Sequence, residues 1–291
     1  MITILFDGLA YGTLLFVLAV GLSVTLGLMN FINLAHGVFA MAGGYIAVLS
    51  MQHLDVPFIL CLPLAFVATG AAGALAERFL YRPMYQKSHL DQVLFSIGLT
   101  FMAVAATQYV MGAGQQTVQL PQWLRGRSVL GSDFWSLGIG HYRLFLVGCC
   151  LALMLALQYV LVRTRIGSRL RAAVDDPVVA RGLGINVNQL FFFTFAVGSG
   201  LAGLGGALGT EILGLDSTFA LRFLLYFLIV VALGGSSSIT GPFMAALLLG
   251  IADVAGKYYM PKFGSFIVYA VMIVLLVWRP YGLVGRPGRQ A

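Results

Sequence analysis

Charge is scarce in this chain: only 9% of its 291 residues are Asp, Glu, Lys or Arg. A soluble domain carries about 25%, and so few charges cannot cover a water-facing surface. With 60% of residues apolar, lipid is the expected solvent for most of the chain. No Lys or Arg precedes Arg78. A secretory signal peptide needs a positive region ahead of its apolar core, so the N-terminal apolar run is expected to stay as a membrane span. Cysteine is equally sparse. Cys61, Cys149 and Cys150 all lie in apolar runs, at spacings that suit neither a metal site nor a disulfide framework, and they read as small packing residues. A phosphate-binding G-x-x-x-x-G-K-[ST] loop is absent, so no nucleotide or other cofactor is expected on this chain. Catalysis has no obvious seat either. Glu77, Glu211 and Asp253 are scattered acids, with Asp253 placed to pair with Lys257 one helical turn on and Glu77 with Arg78 beside it. A lone His36 has no second ligand at metal spacing.

The net charge of +7 does not point to nucleic acid, because the basic residues sit in short connectors between long apolar runs. About 20 apolar residues span a bilayer. Candidate spans fall at about 9–28, 32–51, 57–77, 92–112, 144–162 and 189–209, with shorter pieces at about 222–233, 242–256 and 265–278. The expected fold is an all-α integral membrane protein, a polytopic helical bundle of about 8–9 spans with broken or short helices, occupying 1–291 as a single transmembrane domain. Basic residues collect on the cytoplasmic side of such bundles. If all nine segments cross from an outer N-terminus, the inner connectors hold Arg78, Arg82 and Lys87, then Arg163, Arg165, Arg169, Arg171 and Arg181, then Arg279, Arg286 and Arg289. The outer connectors hold the smaller set Arg125, Arg127, Arg143, Arg222, Lys257 and Lys262.

Three features stand out from the apolar background. The connector of about 163–188 is rich in arginine and contains Asp176-Pro177, a helix-start pair: the carboxylate can accept from an orphan N–H, and Pro suits the first helical position. Gly182 or Gly184 then supplies a left-handed stop. One or two short helices are expected there, either as a solvated loop or as a knob that docks a soluble partner. The second feature is 30–37, where Asn30, Asn33 and His36 lie between apolar runs beside Gly37. Unpaired buried amides cost roughly 1–3 kcal/mol, so these groups are expected to bond one another, to face a polar cavity, or to form an interfacial turn. The third is 234–242, where Gly235 and Ser236 begin a Gly/Ser/Pro interruption of an apolar stretch; lipid cannot satisfy the freed backbone groups. Paired interruptions point to a solute site in transporters.

Other signals read as structure. The connector of about 113–143 is too polar to span, and its Trp123 and Trp135 suit the membrane interface. Gly8 with Gly12, and Gly205 with Gly209, are G-x-x-x-G pairs that let helices approach closely. Gly198, Gly200 and Gly203 match G-x-G-x-x-G, but no strand precedes them and a packing face is the expected reading.

Taken in order, three stretches resemble the branched-chain amino acid ABC transporter permeases of the LivH type, nearly end to end. They are Gly21-Leu22-Ser23 through Asn33-Leu34-Ala35-His36-Gly37 to Gly43-Gly44-Tyr45; Glu77-Arg78 with Tyr81-Arg82-Pro83; and Gly167, Arg171-Ala172, Asp175-Asp176-Pro177, Ala180 and Gly184-Ile185. Pro242 stands where relatives carry a small residue. The resemblance implies import of leucine, isoleucine, valine or related solutes across the bacterial inner membrane; amide and urea importers share the scaffold. It also implies a LivM-like second permease, a periplasmic solute-binding protein and two ATPase subunits that bind ATP and dock on the 163–188 connector. Arg171, Asp175, Asp176, Ala180, Gly182 and Gly184 are the expected coupling residues. Asn30, Asn33, His36, Gly37, Gly235 and Ser236 are the expected pathway residues. Two other classes remain open here: an ion-coupled secondary transporter or facilitator for a small polar solute, and a membrane enzyme.

Overall fold

The computed structural model describes residues 1–29, 31–132, 135–235, 239–279 and 282–283, with backbone alone at 28, 129–132, 135–137 and 265. Asn30 and Ser236, both expected pathway residues, lie outside the described residues. Helices dominate: α1 (Ile2–Met29), α2 (His36–Leu54), α3 (Phe58–Ala76), α4 (His89–Met111), α5 (Gln122–Arg125), α6 (His141–Arg163), α7 (Arg165–Asp175), α8 (Pro177–Gly182), α9 (Val187–Leu213), α10 (Phe219–Gly234), α11 (Thr240–Tyr259) and α12 (Gly264–Trp278). Each long apolar run of the sequence is thus a helix. Six helices among the described residues are long and apolar enough to cross a membrane: those beginning at Ile2, His36, Phe58, His89, His141 and Val187. The chain is a helical, polytopic membrane protein.

Besides α1, which begins at Ile2 rather than near residue 9, two elements depart from the hydropathy reading. The connector of about 113–143 holds a small antiparallel hairpin, β1 (Arg127–Ser132) and β2 (Trp135–Gly140), within the all-α bundle. Short runs of Val, Leu and Ile mixed with Gly and Ser carry no helical period, and two strands satisfy one another's backbone where a short helix could not. The second departure is α2, which begins at His36 rather than near residue 32.

Burial places the helices in layers. Within its most apolar window α1 is 89% buried, whereas α6 is 11% buried. The first is the central post, enclosed by α6, α9, α10 and α11; α6 and α4 form the rim. Glycine makes the close approaches possible. A Cβ on Gly8 would stand 2.7 Å from the Ile251 Cα, and one on Gly12 2.8 Å from the Leu247 Cα, so α1 and α11 touch backbone to backbone. The G-x-G-x-x-G match serves packing, as expected: Gly198 faces Gly21 of α1, Gly200 faces Phe66 of α3, and Gly203 faces Thr69. Cys61 and Cys150 are buried free thiols and Cys149 is half-buried.

Asp253 pairs with Lys257 as the one-turn spacing predicts, at 2.6 Å, and also accepts from the Tyr226 hydroxyl at 3.3 Å. The expected Glu77–Arg78 pair does not form among the described residues. Glu77 turns inward and accepts from the Tyr85 hydroxyl at 3.0 Å, while Arg78 lies over the Phe79 ring. Removing one partner of a buried pair strands a charge, and the half-exposed Lys257 softens that cost. Lys257→Met is therefore expected to lower stability by about 2 kcal/mol. Adding Asp253→Asn should recover most of it, read as the thermal unfolding midpoint in detergent.

Candidate functional site

The chain between α1 and α2 runs unwound inside the bundle. Lipid offers no hydrogen bonds, so each backbone group there needs a protein partner. The rim helix α4 supplies them. Its buried Gln92, Ser96 and Thr100 recur every fourth residue and therefore share one face. The Ile32 N–H donates to Gln92 Oε1 at 3.4 Å and the Leu34 N–H to Ser96 Oγ at 3.1 Å. The Thr100 hydroxyl donates to the Ser96 carbonyl at 2.8 Å and shares that proton with the Leu34 carbonyl at 3.4 Å.

Asn33 and His36 finish the break. Asn33 Oδ1 accepts from the Ala35 N–H at 3.1 Å, an Asx turn just ahead of α2. His36 reaches the Leu18 carbonyl in mid-α1 at 2.9 Å through Nε2; a carbonyl only accepts, so Nε2 carries the proton. Gly21 makes room for the imidazole, since a Cβ there would stand 2.7 Å from His36 Cε1. Gly37 gives the same clearance to α10: its Cβ would meet the Ala220 carbonyl at 2.8 Å. Asn33 and His36 are each only 1% exposed, and the bonds they make run to the protein backbone.

The interruption at the other end of α10 is separate. Gly235 follows Gly234 with φ of 78°, a conformation that suits glycine, and its N–H donates to the Val231 carbonyl at 2.9 Å. His36 packs edge-on to Phe227 at 6.1 Å. From Phe227 to Gly235 the chain advances about 12 Å at the ~1.5 Å helical rise. The structure thus brings Asn33, His36 and Gly37 together and leaves Gly235 about two helical turns away.

The 163–188 connector folds as two short helices. Asp176 caps α8 by accepting from the Val178 and Val179 N–H groups at 2.8 and 3.0 Å, with Pro177 at the first position. Of the two candidate stop glycines, Gly184 is the one used: its φ is 81°, and the Ile185 N–H closes back on the Ala180 carbonyl at 3.0 Å. Gly182 is exposed with open space where a Cβ would be. Gly167, Leu170 and Ala173 are the buried face of α7, and Gly167 lies against the Leu161 backbone. Arg171 donates to the Leu161 carbonyl, tying α7 to the end of α6.

Ala180 is buried with Ala173 and Val187, so it supports the connector from within, while Arg171, Asp175 and Asp176 are exposed. Truncating a helix cap costs about 1 kcal/mol. Asp176→Ala should accordingly raise the hydrogen-exchange rate of the Val178 and Val179 amides several-fold, with little change in α9.

The connector carries a surface that charge patterning did not reveal. Val178 (73% exposed) and Val179 (57%) of α8, with Leu183 (74%) at its C-terminal cap, project outward. A short polar-flanked helix that bares three apolar side chains beside Arg171 and Asp175 is the anatomy of a contact patch. The α4 stripe was missed as well, although its signal was present: Gln92, Ser96 and Thr100 are spaced four apart in an otherwise apolar run.

Residues 4–276 match the sequence profile of the family described as "Branched-chain amino acid transport system / permease component". The chain is 28% identical to the high-affinity branched-chain amino acid transport system permease protein BraD of Pseudomonas aeruginosa, over 97% of this chain and 95% of BraD. It is 29% identical to the LivH permease protein of Escherichia coli, with the same coverage. LivM of Salmonella typhimurium is more distant, at 26% identity over 92% of this chain and 67% of LivM. A match of this extent, on a bundle of membrane-spanning helices with an unwound segment at its centre, places the chain in the branched-chain amino acid transport permease family.

Proposed function

We propose that this chain is one of two permease subunits in an ATP-driven importer of branched-chain amino acids or related small polar solutes. It would sit in the bacterial inner membrane with all nine long helices crossing, as one permease domain. A LivM-like permease is the second half of the channel, and a periplasmic solute-binding protein delivers the solute. ATP is hydrolysed on two separate ATPase subunits. The relatives' names supply the solute class, and the similarity to both LivH and LivM supports a two-permease system.

The observation that carries the coupling role is the exposed apolar patch of α8 on a helix pair capped and tethered at both ends. A rigid knob transmits a push, whereas a solvated loop absorbs it. Arg171, Asp175, Asp176, Gly182 and Gly184 frame that knob, and Ala180 holds it to α9. The push would reach the bundle through α9, which packs along α1, α2 and α3. The unwound segment is the compliant point. Asn33, His36 and Gly37 set its shape, and Gly235 marks a second interruption at the end of α10.

Reconstitution tests the reading. Liposomes containing this chain, a LivM-like permease, both ATPases, the binding protein and internal ATP are expected to accumulate radiolabelled leucine. Uptake by the chain alone, driven by an ion gradient, would refute it.

A further inference from the structure

The end of the bundle opposite α7 and α8 holds charges that neither the fold nor the coupling reading uses. A cavity of about 540 Å³ opens there among the ends of α1, α6 and α9 and the segment before β1. Arg125, Arg127, Arg143, Asp7 and Glu211 line it, with Tyr142 on its wall. Asp7 pairs with Arg143. Arg125 donates through Nε to the Leu120 carbonyl at 2.7 Å, which fixes the guanidinium plane and leaves its terminal nitrogens without a bond among the described residues. Arg127 lies across Gly138, where a Cβ would stand 2.6 Å from Cζ. Among the described residues the side chains of Arg127 and Glu211 form no hydrogen bond or ion pair.

The cavity therefore presents two exposed guanidinium groups and one exposed carboxylate, with Arg125 close enough to attract the Glu211 charge but not bonded to it among the described residues. Ligand sites commonly enclose about 300–1,000 Å³. A guanidinium fork matches a carboxylate or a phosphate in two parallel bonds. A simple anion would meet repulsion from Glu211, and a simple cation would meet it from the arginines. A molecule carrying both charges meets neither.

We propose that this cavity binds a small zwitterion, its oxyanion held by Arg125 and Arg127 and its ammonium by Glu211. Two sources share that chemistry: a free α-amino acid and an ethanolamine phosphate lipid headgroup. The site is distinct from the unwound segment and from α8, and does not depend on the transport reading.

The test uses the full chain in nanodiscs of phosphatidylglycerol. Leucine binding is measured by equilibrium dialysis, and retention of added phosphatidylethanolamine by native mass spectrometry. At least one of the two is expected to bind, and Arg127→Gln and Glu211→Gln should each weaken it at least ten-fold. Loss of leucine binding in these variants identifies the free amino acid as occupant; loss of phosphatidylethanolamine retention identifies the lipid. The unmodified chain gives an independent readout if a variant fails to fold: leucine should outbind N-acetylleucine, or phosphatidylethanolamine outbind phosphatidylglycerol, at least ten-fold. Binding indifferent to the ammonium, binding unchanged by Glu211→Gln, or no binding of either molecule overturns the proposal.

Discussion

Replacing Val178 and Leu183 together by Asp should abolish co-purification of the ATPase subunits while leaving the chain inserted and folded. Both side chains are about three-quarters exposed, so the change leaves no cavity within the bundle. Buried against a partner, an aliphatic side chain of this size contributes roughly 1.5–3 kcal/mol. Two of them, with the added desolvation of two carboxylates, should weaken association on the order of 100-fold or more. Uptake should fall with it. Asp176→Ala on the same helix gives the contrast: its carboxylate is engaged with the Val178 and Val179 amides, so it acts by shaping the knob and should produce a much smaller loss. Equal loss from the cap and from the apolar pair would show that α8 order, and not its surface, sets the affinity.

The second large effect is expected inside the bundle. Ser96→Ala with Thr100→Val keeps the side-chain shape closely and removes both hydroxyls that hold the Leu34 backbone. A buried group left without a partner costs about 1–3 kcal/mol, and within lipid no water repairs the loss. The unwound segment should shift, since the first turn of α2 offers the freed Leu34 amide no helical acceptor. Uptake is expected to drop at least ten-fold with the ATPases still bound, and ATP hydrolysis should lose its response to the loaded binding protein. Full transport by this variant would remove the unwound segment from the moving parts.

Much of this was legible in the residues. Long apolar runs fixed where helices lie, because lipid permits little else. Asp176-Pro177 and the glycines after it marked α8, because capping is local chemistry that two or three residues determine. Asp253 and Lys257 announced their pair by spacing alone. What hydropathy could not give was depth. Asn33 and His36 marked residues 30–37 as unusual, but only the polar face of α4, some sixty residues on, makes an unwound path tolerable there. The β1–β2 hairpin escaped for a related reason: mixed Gly, Ser and Leu carry no helical period, and strand pairing depends on the partner strand. Ala180 was expected among the coupling residues, yet it lies beneath them, since motif spacing does not tell which side of a short helix faces out. The three apolar side chains of α8 went unnoticed because Val and Leu are ordinary in such a sequence until their exposure is seen.

The most direct measurement places a single cysteine at Leu183, in a chain whose Cys61, Cys149 and Cys150 are changed to Ala, and treats cells with a membrane-impermeant maleimide. The α8 surface is expected to stay unlabelled in intact cells, to label fully once the membrane is permeabilised, and to be shielded again when the ATPase subunits are present. Labelling from outside intact cells would put α8 on the wrong side of the membrane, and the coupling role would fall with it.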